Sequence, residues 1–337
     1  MGDELQISVK RSPLRRLTGI QVVGTGSFLP DCVVTNEMLA SLGCDADWIV
    51  QRTGIRERRH APATMSTSDM AVYAAEHCIE AAGVNRDEID VLILATLSPD
   101  YLLPATAPAV QDRLGLNCAA MDLSAACAGF TYALVTGAQF VAAGTSRYAL
   151  VIGADTNSRV INPDDKKTYP LFGDGAGAVL LAKGSNEQGL ASYTLGADGA
   201  GTELLIRPAG GARAPLAANV ADWFVKMDGR PVFKWAVRLL EDSSRQVLAA
   251  AGVDTADVDL WVFHQANIRI LDAAIDALGI DRRKVATHLD RYGNTSAGSV
   301  PIALDESLRE GRFKRGDLLL LCGFGGGLSW GTALVRW

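Results

Sequence analysis

The chain has 337 residues, 48% of them apolar and 21% charged, with a formal net charge of -6. This is the balance of a soluble globular protein, long enough for one large or two ordinary domains and a well-buried core. The acidic excess argues against a general nucleic-acid binder, which needs a basic face for phosphates, and the longest apolar run is too short to span a bilayer.

The opening segment MGDELQISVKRSPLRRL carries charges throughout and no apolar stretch, so it does not read as a secretory signal. Met1-Gly2 resembles a myristoylation start, but Gln6 stands where that motif needs Ser or Thr. Six cysteines (Cys32, Cys44, Cys78, Cys118, Cys127, Cys322) are scattered without a C-x-x-C, as reduced thiols of a cytoplasmic protein would be. The four histidines show no metal-ligand spacing, so no metal is expected.

In chain order, IQVVGTG reads as a strand, and AAGVNRDEIDVLIL (81–94) as a helix end, a Gly C-cap at Gly83, an acidic turn and a buried strand. DLSAACAGF follows, with Cys127 among small residues: MDL is a strand end and TYALVTGAQFVAAG a helix apolar nearly all round, hence buried. A thiol at a helix N-terminus has its pKa lowered and becomes a nucleophile, whereas free cysteines are also among the most buried residue types. The residues alone leave both readings open.

YALVIGAD and AVLLA read as strands around GDGAGAVLL. Neither that stretch nor GTGSFLP completes a dinucleotide fingerprint, so their glycines are read as serving tight turns and close backbone approach. VFKWAVRLLEDSSRQVLAAA is helical and runs into AAGVDTADVDLWVF (250–263), which repeats the 81–94 pattern 169 residues on, with Gly252 in the place of Gly83. His264 directly follows that strand, at the carboxyl end where α/β sheets keep their chemistry, though an oriented core histidine is the ordinary reading. RILDAAIDALG is helical, Asn294 sits in the turn of YGNTSAGSVP ahead of the helix IALDESLREG, and LLLLCGFG and TALVRW are strands. The glycines of CGFGGGLSWG between them form a strand-to-strand turn whose bare N–H groups could receive an oxyanion. Strands alternating with helices predict an α/β protein with largely parallel sheets, and the repeat predicts two duplicated halves.

Taken together, DLSAACAGF, FHQAN, GNTSAGSVP and FGGGLSWG, with WIVQRTGIRERR and LFGDGAGAVLL, resemble β-ketoacyl-acyl-carrier-protein synthase III of the thiolase superfamily, from about Leu17 to Trp337. The resemblance implies a thiolase-like α/β fold of two duplicated halves (17–184 with the nucleophile, 185–337 with His and Asn) in a five-layered α-β-α-β-α core, after an N-terminal extension, 1–16. It implies a decarboxylating condensation of an acyl-CoA with malonyl-acyl carrier protein at the start of fatty-acid synthesis. Cys127 would hold the acyl group, His264 and Asn294 would meet the enolate oxygen, and the N–H groups of Cys127 and Gly326 would form the oxyanion hole. Trp48 and Arg159 would sandwich the adenine of CoA, Arg52 its phosphates, and Thr53, Gly229 and Asn267 would line the pantetheine channel. Lys234 and Arg269 would dock the acidic carrier protein. Leu103 stands where the family often has a Phe that closes the acyl pocket across a homodimer interface, which leaves room for branched or longer starters. No metal or redox cofactor is implied, and no nucleic-acid or membrane partner.

The rival readings are a specialised-metabolism ketosynthase or acyltransferase of the same superfamily, a non-catalytic scaffold, and a papain-like cysteine protease. Intact His264 and Asn294 favour condensation over the first. Cys127 is present against the second, and the signature C-G-[SA]-C-[WY] is missing for the third.

Overall fold

A computed structural model describes residues 12–337; residues 1–11, most of the expected N-terminal extension, lie outside the described residues. β1 (Leu14–Thr18) and β2 (Ile20–Phe28) are separated only by Gly19 and yet enter different sheets. The boundary expected at residue 17 therefore falls inside a strand, and that strand pairs with the second half's β-sheet rather than standing apart as an extension.

The first half continues through β3 (Val33–Thr35), α1 (Ala46–Thr53), β4 (Glu57–Arg59), α2 (Thr67–Ala82) and β5 (Ile89–Ala95). It goes on to α3 (Ala107–Arg113), β6 (Ala119–Leu123), α4 (Gly129–Ala142), β7 (Tyr148–Asp155) and β8 (Gly175–Lys183). The second half runs β9 (Gly189–Ala197), β10 (Leu205–Ile206), β11 (Lys226–Met227), α5 (Gly229–Ala251) and β12 (Leu260–Phe263). It ends with α6 (Ile268–Leu278), α7 (Leu289–Tyr292), α8 (Ser299–Arg309), β13 (Leu318–Gly325) and β14 (Ser329–Arg336).

Two five-stranded sheets form, in the orders β2-β8-β7-β5-β6 and β1-β9-β14-β13-β12. Corresponding strands of the two halves, β2-β8-β7-β5 and β9-β14-β13-β12, lie in the same order. The sequence repeat is thus a structural one. Gly83 and Gly252 both end their helices in the left-handed conformation, φ 64° and 70°, which glycine adopts without steric cost. The halves diverge at both edges: β1 adds a strand beyond β9 where the equivalent β2 ends its sheet, and β6 has as its counterpart only a parallel bridge between Trp261 and Val285.

The sheets are mixed rather than largely parallel. β5 pairs parallel with β6 and β7, and β12 with β13, whereas β7–β8, β2–β8, β13–β14, β9–β14 and β1–β9 are antiparallel. A parallel pair needs a crossover, usually helical. After β7 the chain returns through single turns only, and β13 turns straight into β14 at the glycine cluster.

Three apolar cores separate five layers. α2 and α3 cover the outer face of the first sheet, burying Met70, Val110 and Leu114 against Leu92 and Ile152. α5 and α6 cover the second, with Trp235, Leu239 and Leu271 against Trp261 and Leu320. Between the sheets lie α4 and α8, where Phe130, Leu134, Val300 and Leu304 meet residues of both, among them Ile93, Val151, Val262 and Leu321. An all-round apolar α4 is therefore the helix with a sheet on either side, as its pattern predicts. The N-termini of α4 and α8 bring Cys127 and the 294–299 segment together between the halves. Among the described residues, no helix is long and apolar enough to cross a membrane.

Candidate active site

Cys127 lies on a single turn, Ala126–Ala128, that leads into α4, and it is only 6% exposed. Ala126 has φ +47°, a left-handed conformation for a residue with a side chain, so the backbone bends sharply just before the sulfur. β13 runs directly against this turn: a Cβ on Gly325 would lie 2.7 Å from the backbone N of Cys127. The glycine cluster thus lets a strand approach the nucleophile's own amide.

His264 follows β12 and extends its ladder by one bond, its N–H donating to Cys322 O at 2.7 Å. The ring packs edge-on against Phe324, centroids 5.0 Å apart, and Nδ1 lies 2.6 Å from Ser299 Oγ. Burial holds the imidazole well below its ordinary range, at about 3, so it is neutral at physiological pH. Asn294 is fixed by its backbone, N–H to Leu171 O at 2.8 Å and O accepting from Gly173 N–H at 3.0 Å. Its Oδ1 accepts from Ser296 N–H at 2.8 Å, which leaves the Nδ2 donor to face the cavity. The close approach of the two chains here explains a glycine of the GDGAGA stretch, since a Cβ on Gly173 would lie 2.1 Å from Tyr292 O.

A cavity of about 340 Å³ brings together Cys127, His264, Asn294 and Gly325, with Gly229, Asn267 and Arg269 nearer its mouth. A second of about 120 Å³ begins at Cys127 and Gly326 and is walled by Ala126, Ile161, Phe172, Leu205, Ile206 and Val225. The arrangement is a wide polar-tipped channel, a thiol at its foot and a small apolar chamber beyond.

Burial pushes the Cys127 thiol up to about 12, opposed by a hydrogen bond from Ser296 Oγ at 3.3 Å and reinforced by the carboxylate of Asp155. The lowered pKa expected at a helix N-terminus is overturned, because among the described residues no cation stands against the sulfur to offset its desolvation. Asp155 is itself completely buried, and its carboxylate accepts from Thr96, Leu97, Ser98 and, at 3.0 Å, from Ala297 N–H. It ties the ends of β5 and β7 to the turn before α8; burial pushes its carboxyl up despite those bonds.

Trp48, Arg52, Thr53, Arg159, Lys234 and Leu103 line neither cavity. Trp48 and Arg52 are exposed on α1, with the Arg52 guanidinium 5.7 Å from the Trp48 ring centroid. Arg159 is exposed and donates to Pro62 O at 2.7 Å. Thr53 is buried, and its hydroxyl donates to Ile49 O at 2.6 Å and accepts from Ile55 N–H, so it is absent from the channel wall. Lys234 lies one residue past Phe233 on α5, and Arg269 stacks over the Phe233 ring at 5.4 Å. Leu103 is 87% exposed and lines neither cavity of its own chain. Ser296, Ser299 and Asp155 were not singled out from sequence, although both serines stand in the quoted YGNTSAGSVP. Their signal was position in a turn, which specifies no partner. Among the described residues, no group of His, Cys, Asp and Glu could hold a metal ion.

Fold and site together define an acyl-transferring condensing enzyme on a thiolase-like scaffold. Residues 121–199 match the family model for 3-oxoacyl-[acyl-carrier-protein (ACP)] synthase III, and 248–337 that for its C-terminal part. A β-ketoacyl-[acyl-carrier-protein] synthase III of Rhodopirellula baltica is 52% identical over 95% of this chain and 99% of its own length. Among solved structures, that of the Thermus thermophilus synthase III superposes with a TM-score of 0.89, at 40% identity over 94% of this chain and 98% of the other. The priming β-ketosynthase of the R1128 polyketide pathway superposes with 0.88, at 35% identity over 97% and 98%. The chain belongs to the β-ketoacyl-acyl-carrier-protein synthase III family.

Proposed function

We propose that this enzyme condenses an acyl-CoA with malonyl-acyl carrier protein to 3-oxoacyl-acyl carrier protein and CO₂, initiating fatty-acid synthesis through an acyl thioester on Cys127. The observation that carries the reading is the convergence of Cys127, His264 and Asn294 on one channel whose foot opens into a small apolar chamber.

In the first half-reaction the Cys127 sulfur attacks the acyl-CoA thioester, and the thiol proton leaves with the CoA sulfur. The N–H groups of Cys127 and Gly326 receive the tetrahedral oxyanion, and the acyl chain enters the chamber. In the second, malonyl-carrier protein loses CO₂. Neutral His264 and the Asn294 amide donate to the enolate oxygen, and the carbanion attacks the acyl carbon. The Cys127 sulfur departs and regains a proton. Preformed donors fixed in an enclosed cavity suit developing charge better than water does.

Trp48, Arg52 and Arg159 are assigned to the nucleotide of CoA, and Gly229 and Asn267 to the pantetheine arm. For adenine to lie between Trp48 and Arg159, the Arg52 head must take the other face of the indole or swing toward phosphate. Thr53 acts through the backbone it ties together. Lys234 and Arg269 would meet the carrier protein. Tyr101, Leu102 and Leu103 are 68%, 76% and 87% exposed, a loop tip whose cover would be the second subunit of a homodimer, with Leu103 at the partner's chamber. The reaction needs no metal or redox cofactor, and the enzyme would work in the cytoplasm. A specialised-metabolite ketosynthase is less favoured, given the greater identity to fatty-acid relatives.

Intact-protein mass spectrometry with a panel of acyl-CoAs tests the reading. Wild type gains an acyl group and Cys127→Ala does not; malonyl-carrier protein then discharges it as 3-oxoacyl product. A folded wild type that takes no acyl group from any CoA refutes the proposal.

A further inference from the structure

Ser299, the first residue of α8, is fully buried and is held at both ends by histidines. Its Oγ has two neighbours, Nδ1 of His264 at 2.6 Å and the backbone N–H of Gln265 at 3.4 Å. Its carbonyl oxygen lies 3.1 Å from Nε2 of His288, another fully enclosed ring.

Counting donors settles where each proton sits. A carbonyl only accepts, so Nε2 of His288 carries that ring's hydrogen. The N–H of Gln265 only donates, so Ser299 Oγ accepts there. The hydroxyl hydrogen then has a single acceptor in reach, Nδ1 of His264. Were Nδ1 to carry the ring proton, Ser299 would face donors on both sides and its own hydrogen would be buried without a partner. The tautomer that satisfies both the Ser299 hydroxyl and its neighbours has the His264 proton on Nε2, the nitrogen left to face the cavity.

We infer that Ser299 is a positioning residue for the condensation half-reaction: its hydroxyl pins Nδ1 of His264 and so presents an N–H, rather than a lone pair, to the developing enolate, while His288 clamps Ser299 from behind. The inference rests on the role given to His264 above. It separates the half-reactions, since transfer of the acyl group to Cys127 draws its oxyanion donors from backbone N–H groups and makes no demand on the His264 tautomer.

The experiment compares wild type, Ser299→Ala and Ser299→Thr in three readouts. These are acylation of Cys127 by acyl-CoA (intact mass), CO₂ release from malonyl-acyl carrier protein, and the ¹⁵N spectrum of histidine-labelled protein. Wild type shows His264 protonated on Nε2. In Ser299→Ala the ring becomes a mixture of tautomers, acylation stays within about twofold, and kcat for CO₂ release falls roughly 10- to 100-fold with KM unchanged, short of the loss of a whole donor. Ser299→Thr, which keeps the hydroxyl, recovers most of that loss. A wild-type ring protonated on Nδ1 overturns the inference. So does Ser299→Ala releasing CO₂ at the wild-type rate, or losing both half-reactions in equal measure. A wild type that is never acylated by any acyl-CoA defeats the functional reading instead, and the ¹⁵N spectrum still decides the role of Ser299.

Discussion

Ser296 Oγ donates to Cys127 Sγ at 3.3 Å, from a residue that, like Ala126 beside the sulfur, has a positive φ. Two sharply bent turns, one at the head of α4 and one at the head of α8, thus face each other across the pseudo-symmetric centre. Among the described residues it is the only side-chain hydrogen bond to the sulfur, and it lowers a thiol that burial nonetheless holds at about 12. Ser296→Ala removes it while keeping a small side chain in the strained turn. Acylation of Cys127 should slow about three- to tenfold, the worth of a neutral hydrogen bond of about 1 kcal/mol. In both proteins the acylation rate should climb steadily from about pH 6 to pH 9, because the thiolate fraction of so high a pKa grows tenfold per unit. Stopped-quench mass spectrometry reads both; a pH-independent rate would show that thiolate formation does not limit the step.

Gly325→Ala tests how tightly β13 abuts the nucleophile. Its added Cβ would sit 2.7 Å from a backbone nitrogen, which no rotamer change can move. Overpacking of this kind costs about 1–3 kcal/mol, so denaturant unfolding should shift accordingly. The Cys127 amide would also move off its position, and acylation should fall further than stability. Wild-type stability together with wild-type acylation would mean that the strand has slack.

The parts of this structure that were readable from sequence are those with period and punctuation. α4 was apolar on every side because it has a sheet on each side; the AAGV repeat marked helix ends at Gly83 and Gly252 that superimpose in conformation and lead into equivalent strands. Cys127, His264 and Asn294 were visible because each sits where an element ends, and the resemblance supplied their conjunction. Strand direction was not readable after β7, since nothing in 156–174 announces a return without a helix. Nor was the thiol's environment: helix-terminus reasoning predicts a lowered pKa, and desolvation, a property of three-dimensional enclosure, reverses it. Ala126 walls the chamber beyond Cys127, and its positive φ means that Ala126→Leu would strain the backbone as well as fill space.

Burial of neutral His264 should leave a mark on acid stability. Its folded pKa is held at about 3, below the ordinary 6.5. As pH falls through that window the unfolded chain binds a proton that the folded one refuses, so stability present above about pH 6.5 is lost progressively on acidification. His288, also lowered by burial, adds to the same trend, while Asp155, pushed up, opposes it by taking its proton sooner in the folded state. Comparing His264→Gln with wild type cancels the unchanged groups. The variant's Tm should drop less between about pH 7.5 and pH 4.5 than the parent's. Parallel Tm curves would mean that His264 is protonated in the folded protein.

The starter preference should be set by the chamber beyond Cys127, whose volume is about 120 Å³ and whose wall includes Ile206 on the short strand β10. Ile206 is only half-buried, so Ile206→Ala should cost less than the roughly 2–5 kcal/mol of a fully buried truncation and leave the fold intact. The space released should accept a longer acyl chain. Each methylene newly buried is worth about 0.8 kcal/mol, close to fourfold in kcat/KM. Acyl-CoAs one and two carbons beyond the wild-type optimum should therefore gain about four- and sixteenfold relative to the optimum itself, and the shortest starter should lose little. A competition assay with mixed acyl-CoAs, read as the masses of the Cys127 adducts, measures the ratios directly. An unchanged adduct pattern would move the length limit away from this wall, to the outer end where the partner's Leu103 is proposed to reach.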